Sequence, residues 1–165
     1  MKPETAREIA KRVHNGQWYG RIAYFLHVKD VAERVGLDLR TSPDAVTVAW
    51  LHDVLEDTPV QISHLRAQGL TAAQEAALVA ITRMPGESYY AYVARVSEDR
   101  LAVLVKYHDL RSNLDHDAPD RLAARYDRAL RELTPFLEAH YARTLPWAST
   151  TPAPTTSQTP SATIS

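Results

Sequence analysis

Apolar side chains recur at spacings of three and four along most of the chain, and no segment sustains a period of two between turn residues. This pattern predicts an all-α protein, a helical bundle of six to eight helices without internal repeats. The helix punctuation agrees with it. In TSPDAV, Ser42 is placed to cap a helix that begins at Pro43, with Asp44 near the positive end of its dipole. Val48, Leu51 and Leu55 then fall on one face of that helix. Thr71 opens a capping box, TAAQ, and Pro85-Gly86 stops the helix it starts. Ser97 precedes the run EDRLAVLVKYHDLRSNL, and Asp117 precedes PDRLAARYDRALRELTPFLEAHY. From Ser149 onward the residues are mostly Ser, Thr, Pro and Ala, too few of them apolar to offset the entropy of ordering. The expected division is a compact domain over 1–146 and a disordered Ser/Thr/Pro-rich tail over 147–165.

Composition narrows the class. With 165 residues, 45% of them hydrophobic, the chain can bury one sizeable core. There is no cysteine, which excludes disulfides and thiolate metal sites. Nineteen basic against twenty acidic residues leave a net charge of −1, which argues against nucleic acid and anionic membrane as partners. The polar start, MKPETAREIAKRVHNG, has no secretory signal, and no run approaches the ~20 apolar residues of a membrane helix. A cytoplasmic protein with a small-molecule partner is expected; nothing in the pattern marks an oligomeric state.

The chemistry concentrates in WLHDVLEDTP, where His52, Asp53, Glu56 and Asp57 interrupt a core-forming run. Residues four apart are neighbours on a helix, so a continuous helix sets His52 above Glu56 and Asp53 above Asp57. Three carboxylates in one patch require neutralisation, by Arg or Lys from another helix or by a divalent cation. Two further residues suit the second solution. His27 stands among Phe25, Leu26, Val28 and Val31, where the plain alternative is a packed core histidine. Asp109 follows the apolar run LAVLV, where the plain alternative is a salt bridge to Lys106 or Arg111. Together His27, His52, Asp53 and Asp109 offer two imidazoles and two carboxylates to one ion, with positions left for water. The remaining His-Asp pair, His116-Asp117, lies between two helices and is read as capping and solvent exposure. Trp18 and Tyr19 can stack on a base or plug the core, and Trp18 is expected in the core; Arg83, Arg95 and Arg100 are candidate phosphate contacts.

This constellation resembles the HD-domain metal-dependent phosphohydrolases, and within them the hydrolase domain of RelA/SpoT-type enzymes, which remove the 3′-pyrophosphate of guanosine tetra- and pentaphosphate. The family's His-Asp-x-x-Glu-Asp-Thr motif is matched by His52, Asp53, Glu56, Asp57 and Thr58, and its Lys-x-x-Asp-x-x-x-Asn element by Lys106, Asp109 and Asn113. His27 stands at the place of the first ligand, with Tyr24 three residues before it. The resemblance spans roughly residues 10 to 130. It implies an HD-domain bundle in which His27, His52, Asp53 and Asp109 bind a divalent metal, usually Mn²⁺. It further implies Glu56 and Asp57 as the acid/base pair, with Lys106, Asn113, Arg21 and Tyr24 lining the substrate pocket. One departure stands out. Where the family has Arg-Lys followed by Ser-Gly, this chain has WYGR, with Trp18 and Tyr19 at the place of the cations and Arg21 nearby. The implied function is metal-dependent removal of the 3′-pyrophosphate of guanosine tetra- or pentaphosphate by a stand-alone hydrolase. The alternatives are an HD phosphohydrolase acting on a different nucleotide and a non-catalytic nucleotide or metal sensor.

Overall fold

The computed structural model describes residues 1–116 and 119–142. The expected tail over 147–165 and the expected cap at Asp117 lie outside the described residues. The elements in chain order are α1 (Pro3–Val13), β1 (Trp18–Tyr19), β2 (Ile22–Ala23), α2 (Tyr24–Leu37), α3 (Pro43–Leu51), α4 (Val54–Asp57), α5 (Ile62–Ala67), α6 (Ala72–Ile81), α7 (Tyr89–Glu98), α8 (Arg100–Asp115) and α9 (Asp120–Tyr141). Two of these helices, α4 and α5, are one to two turns long; the others form the bundle.

Helix α8 is the axis of the fold. It packs against α2, α3, α6, α7 and α9, and α3 in turn packs on α1, α2 and α6. Their sequences explain the placement. α3 buries Ala45, Thr47, Val48, Ala49, Trp50 and Leu51, and α8 buries Ala102 to Val105 together with Leu110. A helix apolar on most faces must be enclosed. By contrast α1 buries only Ala6, Ile9 and Ala10, and α9 only Ala129, Leu133, Leu137 and Tyr141, the single stripes of outer helices.

Ser42 caps α3 as expected, accepting from Ala45 N at 3.1 Å, and Thr71 and Gln74 form the capping box of α6. Three expectations are corrected. The helix begun at Ser42 is not continuous through Asp57, because the backbone leaves helical hydrogen bonding at His52 and Asp53 and resumes as the short α4. Ser97 is not the cap of α8: it sits inside α7, donating to Ala94 O at 2.7 Å. Asp99 caps α8 instead, its Oδ1 accepting from Leu101 N and Ala102 N, both at 2.9 Å. The third is a hairpin with no forewarning in the periodicity. β1 and β2 pair antiparallel, Trp18 with Ala23 and Tyr19 with Ile22, around Gly20 at φ 57°, the left-handed conformation that tight hairpin loops require. Successive strand side chains point to opposite faces. With Tyr19 turned inward, Trp18 is 69% exposed rather than part of the core.

Candidate functional site

Three distant segments bring their polar side chains to one point. α2 supplies His27, the turn between α3 and α4 supplies His52 and Asp53, and the middle of α8 supplies Asp109. His27, His52 and Asp109 are almost completely buried, and Asp53 retains about a fifth of its side-chain exposure, with 21% accessible. One donor atom each from His27, His52 and Asp109 lies within 4.8 Å of the others. His27 Nε2 is 3.3 Å from Asp109 Oδ1 and 3.8 Å from Asp53 Oδ2. His52 Nε2 is 3.1 Å from Asp53 Oδ2 and 3.8 Å from Asp109 Oδ1. Metal–donor bonds of about 2.1 Å imply donor–donor separations of about 3 to 4 Å around one ion. The spacing fits.

The orientation of His52 strengthens that fit. Its Nδ1 is 2.8 Å from Ala49 O, an acceptor only, so Nδ1 carries a hydrogen and Nε2 is the ring nitrogen turned to the carboxylates. Nε2 is buried, and its polar neighbours are Asp53 Oδ2 at 3.1 Å and Asp109 Oδ1 at 3.8 Å, neither of them in well-aligned hydrogen-bond geometry. A carbonyl that fixes the tautomer while the other nitrogen faces acids is the usual support of a histidine ligand. Burial alone would lower the His52 pKa, but the Asp53 carboxylate, with Asp109 behind it, outweighs burial and lifts it to about 9. Burial likewise opposes ionisation of Asp53 and Asp109. Yet His52 holds Asp53 down to about 2, and Lys106, with the two histidines, holds Asp109 well below the carboxylate range. The cluster therefore demands a positive charge, from a proton or from a metal ion.

The plain alternative for Asp109 is also realised. Lys106 Nζ donates to Asp109 Oδ2 at 2.6 Å, and Asn113 Nδ2 donates to Oδ1 at 2.9 Å. The salt bridge occupies the oxygen facing away from the histidines and leaves Oδ1 toward them. His108, beside Asp109, points elsewhere, its Nε2 2.9 Å from Asp38 Oδ2.

A cavity of about 190 Å³ opens onto this cluster, lined among others by Glu56, Asp57, Lys106, Asn113 and Tyr24. Tyr24 donates to Asp53 Oδ2 at 2.8 Å and to Asp57 Oδ2, so a single phenol proton spans two carboxylates. Glu56 Oε2 accepts from Arg83 N at 3.2 Å. Arg21 stands exposed on the hairpin turn and does not line the cavity. Of the other candidate arginines, Arg83 lines it, whereas Arg95 is bonded to Glu87 and to the carbonyls of Val79, Ala80 and Thr82, and Arg100 lies over Tyr141.

Several participants lie outside the matched motifs. Tyr19 stacks on His27, ring centroids 4.6 Å apart, and its hydroxyl donates to Asn113 Oδ1. His14, at the end of α1 and 1% exposed, stacks on Tyr24 at 4.8 Å; its Nδ1 donates to Gln17 Oε1 at 2.7 Å. Gln17 Nε2 in turn donates to the backbone carbonyl of Asp57 at 2.9 Å. Tyr89, Arg125 and Tyr126 also line the cavity, brought there by α7 and α9.

No protein-family model and no curated protein matches the chain. A solved structure does: a metazoan ortholog of SpoT, described as hydrolyzing ppGpp and playing a role in starvation responses. It superposes with a TM-score of 0.66 at 15% identity, over 86% of this chain and 94% of that one. The HD-domain helical bundle is therefore the fold of this protein, and its buried His27, His52 and Asp109 are placed to hold a metal ion. No helix among the described residues is long and apolar enough to cross a membrane.

Proposed function

We propose that the protein is a metal-dependent phosphohydrolase that removes the 3′-pyrophosphate of guanosine tetra- or pentaphosphate, with His27, His52, Asp53 and Asp109 as ligands to one divalent ion. The observation that carries the reading is the buried convergence of His52 Nε2, His27 Nε2 and the Asp53 and Asp109 carboxylates, with imidazole–carboxylate separations of 3.1 to 3.8 Å. A donor set of two imidazoles and two carboxylates suits Mn²⁺, Fe²⁺ or Zn²⁺, and Mn²⁺ is proposed on the resemblance. The neighbour described as hydrolyzing ppGpp supports the substrate class. Bound there, the ion supplies Lewis-acid polarisation of a phosphoryl oxygen and acidification of water.

The chain's own residues supply the rest. Glu56 and Asp57 share the cavity with the ligands and act as the acid/base pair, accepting a proton from the attacking water and returning one to the leaving alkoxide. Tyr24 holds the Asp57 carboxylate beside Asp53, and Gln17 holds its backbone. Lys106 keeps Asp109 ionised, and Asn113 fixes its rotamer. Both are therefore supports for a ligand as well as walls of the substrate pocket. Such an enzyme acts on a free cytoplasmic nucleotide rather than on nucleic acid, which agrees with the net charge of −1.

The test is incubation with Mn²⁺ and a panel of guanosine tetraphosphate, other phosphorylated ribonucleotides and deoxynucleotides, with products identified by mass. Release of pyrophosphate from the tetraphosphate, lost in Asp53→Ala and reduced at least a hundredfold in Glu56→Ala, is the expected result. Cleavage of another nucleotide alone would move the assignment to that substrate. Metal uptake without turnover of any of them would leave a sensor.

A further inference from the structure

The cavity has a buried polar atom without a partner, and it lies outside every motif discussed above. Tyr89 Oη is enclosed and makes no hydrogen bond among the described residues. Its pKa is raised by burial, with Lys106, Arg125 and Asp109 among the charges that act on it, so the hydroxyl stays protonated within their field. Burying an O–H donor without an acceptor is costly, and a site that retains one is built for an acceptor that arrives from outside.

A cation stands with it. Arg125 Cζ lies 4.8 Å from the Tyr89 ring centroid and 5.5 Å from that of Tyr126. Among the described residues no carboxylate pairs with Arg125, although it lines the cavity. The other cations there are committed: Lys106 to Asp109, and the Arg83 guanidinium to Glu87 O at 2.9 Å. The hairpin side of the cavity offers Tyr19, whose hydroxyl is taken by Asn113, and not Arg21. Tyr89 and Arg125 also line a separate groove of about 230 Å³ between α7 and α9, with Tyr90, Arg128, Ala129 and Glu132.

We infer that Tyr89 and Arg125 form a phosphate-binding wall, the Tyr89 hydroxyl donating to a non-bridging oxygen of the substrate's phosphoryl group while the Arg125 guanidinium, resting on the two rings, pairs with its charge. The inference rests on the phosphohydrolase reading and adds a recognition element to it. It relocates the anion contact from the hairpin, which lacks the family's basic pair, to the α7–α9 side.

The discriminating property is the missing partner. Removing a hydroxyl that has a structural hydrogen bond lowers stability, whereas removing one kept for a ligand leaves stability unchanged or raises it. The full chain is loaded with Mn²⁺, and binding of inorganic phosphate is followed by titration calorimetry for the parent, Tyr89→Phe and Arg125→Gln. Denaturant unfolding and Mn²⁺ affinity are measured on the same samples. Tyr89→Phe is expected to keep its unfolding midpoint and Mn²⁺ affinity while binding phosphate at least tenfold more weakly. Arg125→Gln is expected to weaken phosphate binding and flatten its dependence on salt. Phosphate affinity within twofold of the parent in both variants, or a lowered midpoint in Tyr89→Phe, overturns the wall and leaves the metal-site reading standing. A parent protein that takes up no divalent ion overturns both.

Discussion

Asp109 answers to four neighbours at once: Lys106 on one oxygen, and Asn113, His27 and His52 on the other. Removing the lysine leaves a buried carboxylate short of charge, and breaking a buried pair in that way costs roughly 3 kcal/mol or more. Lys106→Met is therefore expected to lose about that much in metal-free denaturant unfolding and to recover part of it when Mn²⁺ is added. An equal loss with and without the ion would mean that the ion and the lysine do not act on the same carboxylate. His52 gives the pH dependence. Its folded pKa of about 9 exceeds the ordinary 6.5, so in the metal-free protein its stabilisation is complete below about pH 6.5 and is lost as pH rises through about 9. A metal ion takes the place of that proton. Unfolding midpoints between pH 6.5 and 9 should thus fall for metal-free protein and hold for loaded protein. Calorimetry in buffers of different ionisation heat should detect the proton released on metal binding.

At the scale of the element, the decisive event is where α3 ends. Ser42 starts it with a side-chain cap, and Ser42→Ala is expected to cost ~1 kcal/mol by denaturant unfolding, the usual price of an N-cap. The starts of α3 and α6 were legible in sequence because caps are local, requiring only neighbours in the chain. The break at His52 and Asp53 was not, because LHDVLED carries no Gly or Pro and reads as uninterrupted helix. The hairpin was equally invisible, its strands of two residues being too short to show a period. Yet it sets Tyr19 over His27, and it depends on Gly20 at φ 57°. Gly20→Ala is expected to cost about 1 kcal/mol, since a side chain there strains the left-handed backbone. The four candidate ligands were legible because burying His and Asp in apolar runs needs a reason. Tyr89 and Arg125 were not, because an aromatic in GESYYAY and an arginine in LAARYD gain meaning only when α7 and α9 meet.

For the whole molecule, the proposed division at residue 146 has a simple check. A chain ending there should match the full protein in unfolding midpoint and Mn²⁺ affinity, and a lower midpoint would assign the remaining residues a part in the fold. The larger consequence lies in the convergence of α2, the turn after α3, and α8 on one set of donors. An ion held there rivets segments that are far apart in the chain, and only the folded state presents all its ligands together. Ligand present at a hundredfold excess over its Kd then adds ~2.7 kcal/mol to folding. A melting curve becomes an occupancy gauge: chelator should set the lower end of the thermal range, and each divalent ion should raise it according to how well this pocket grips it.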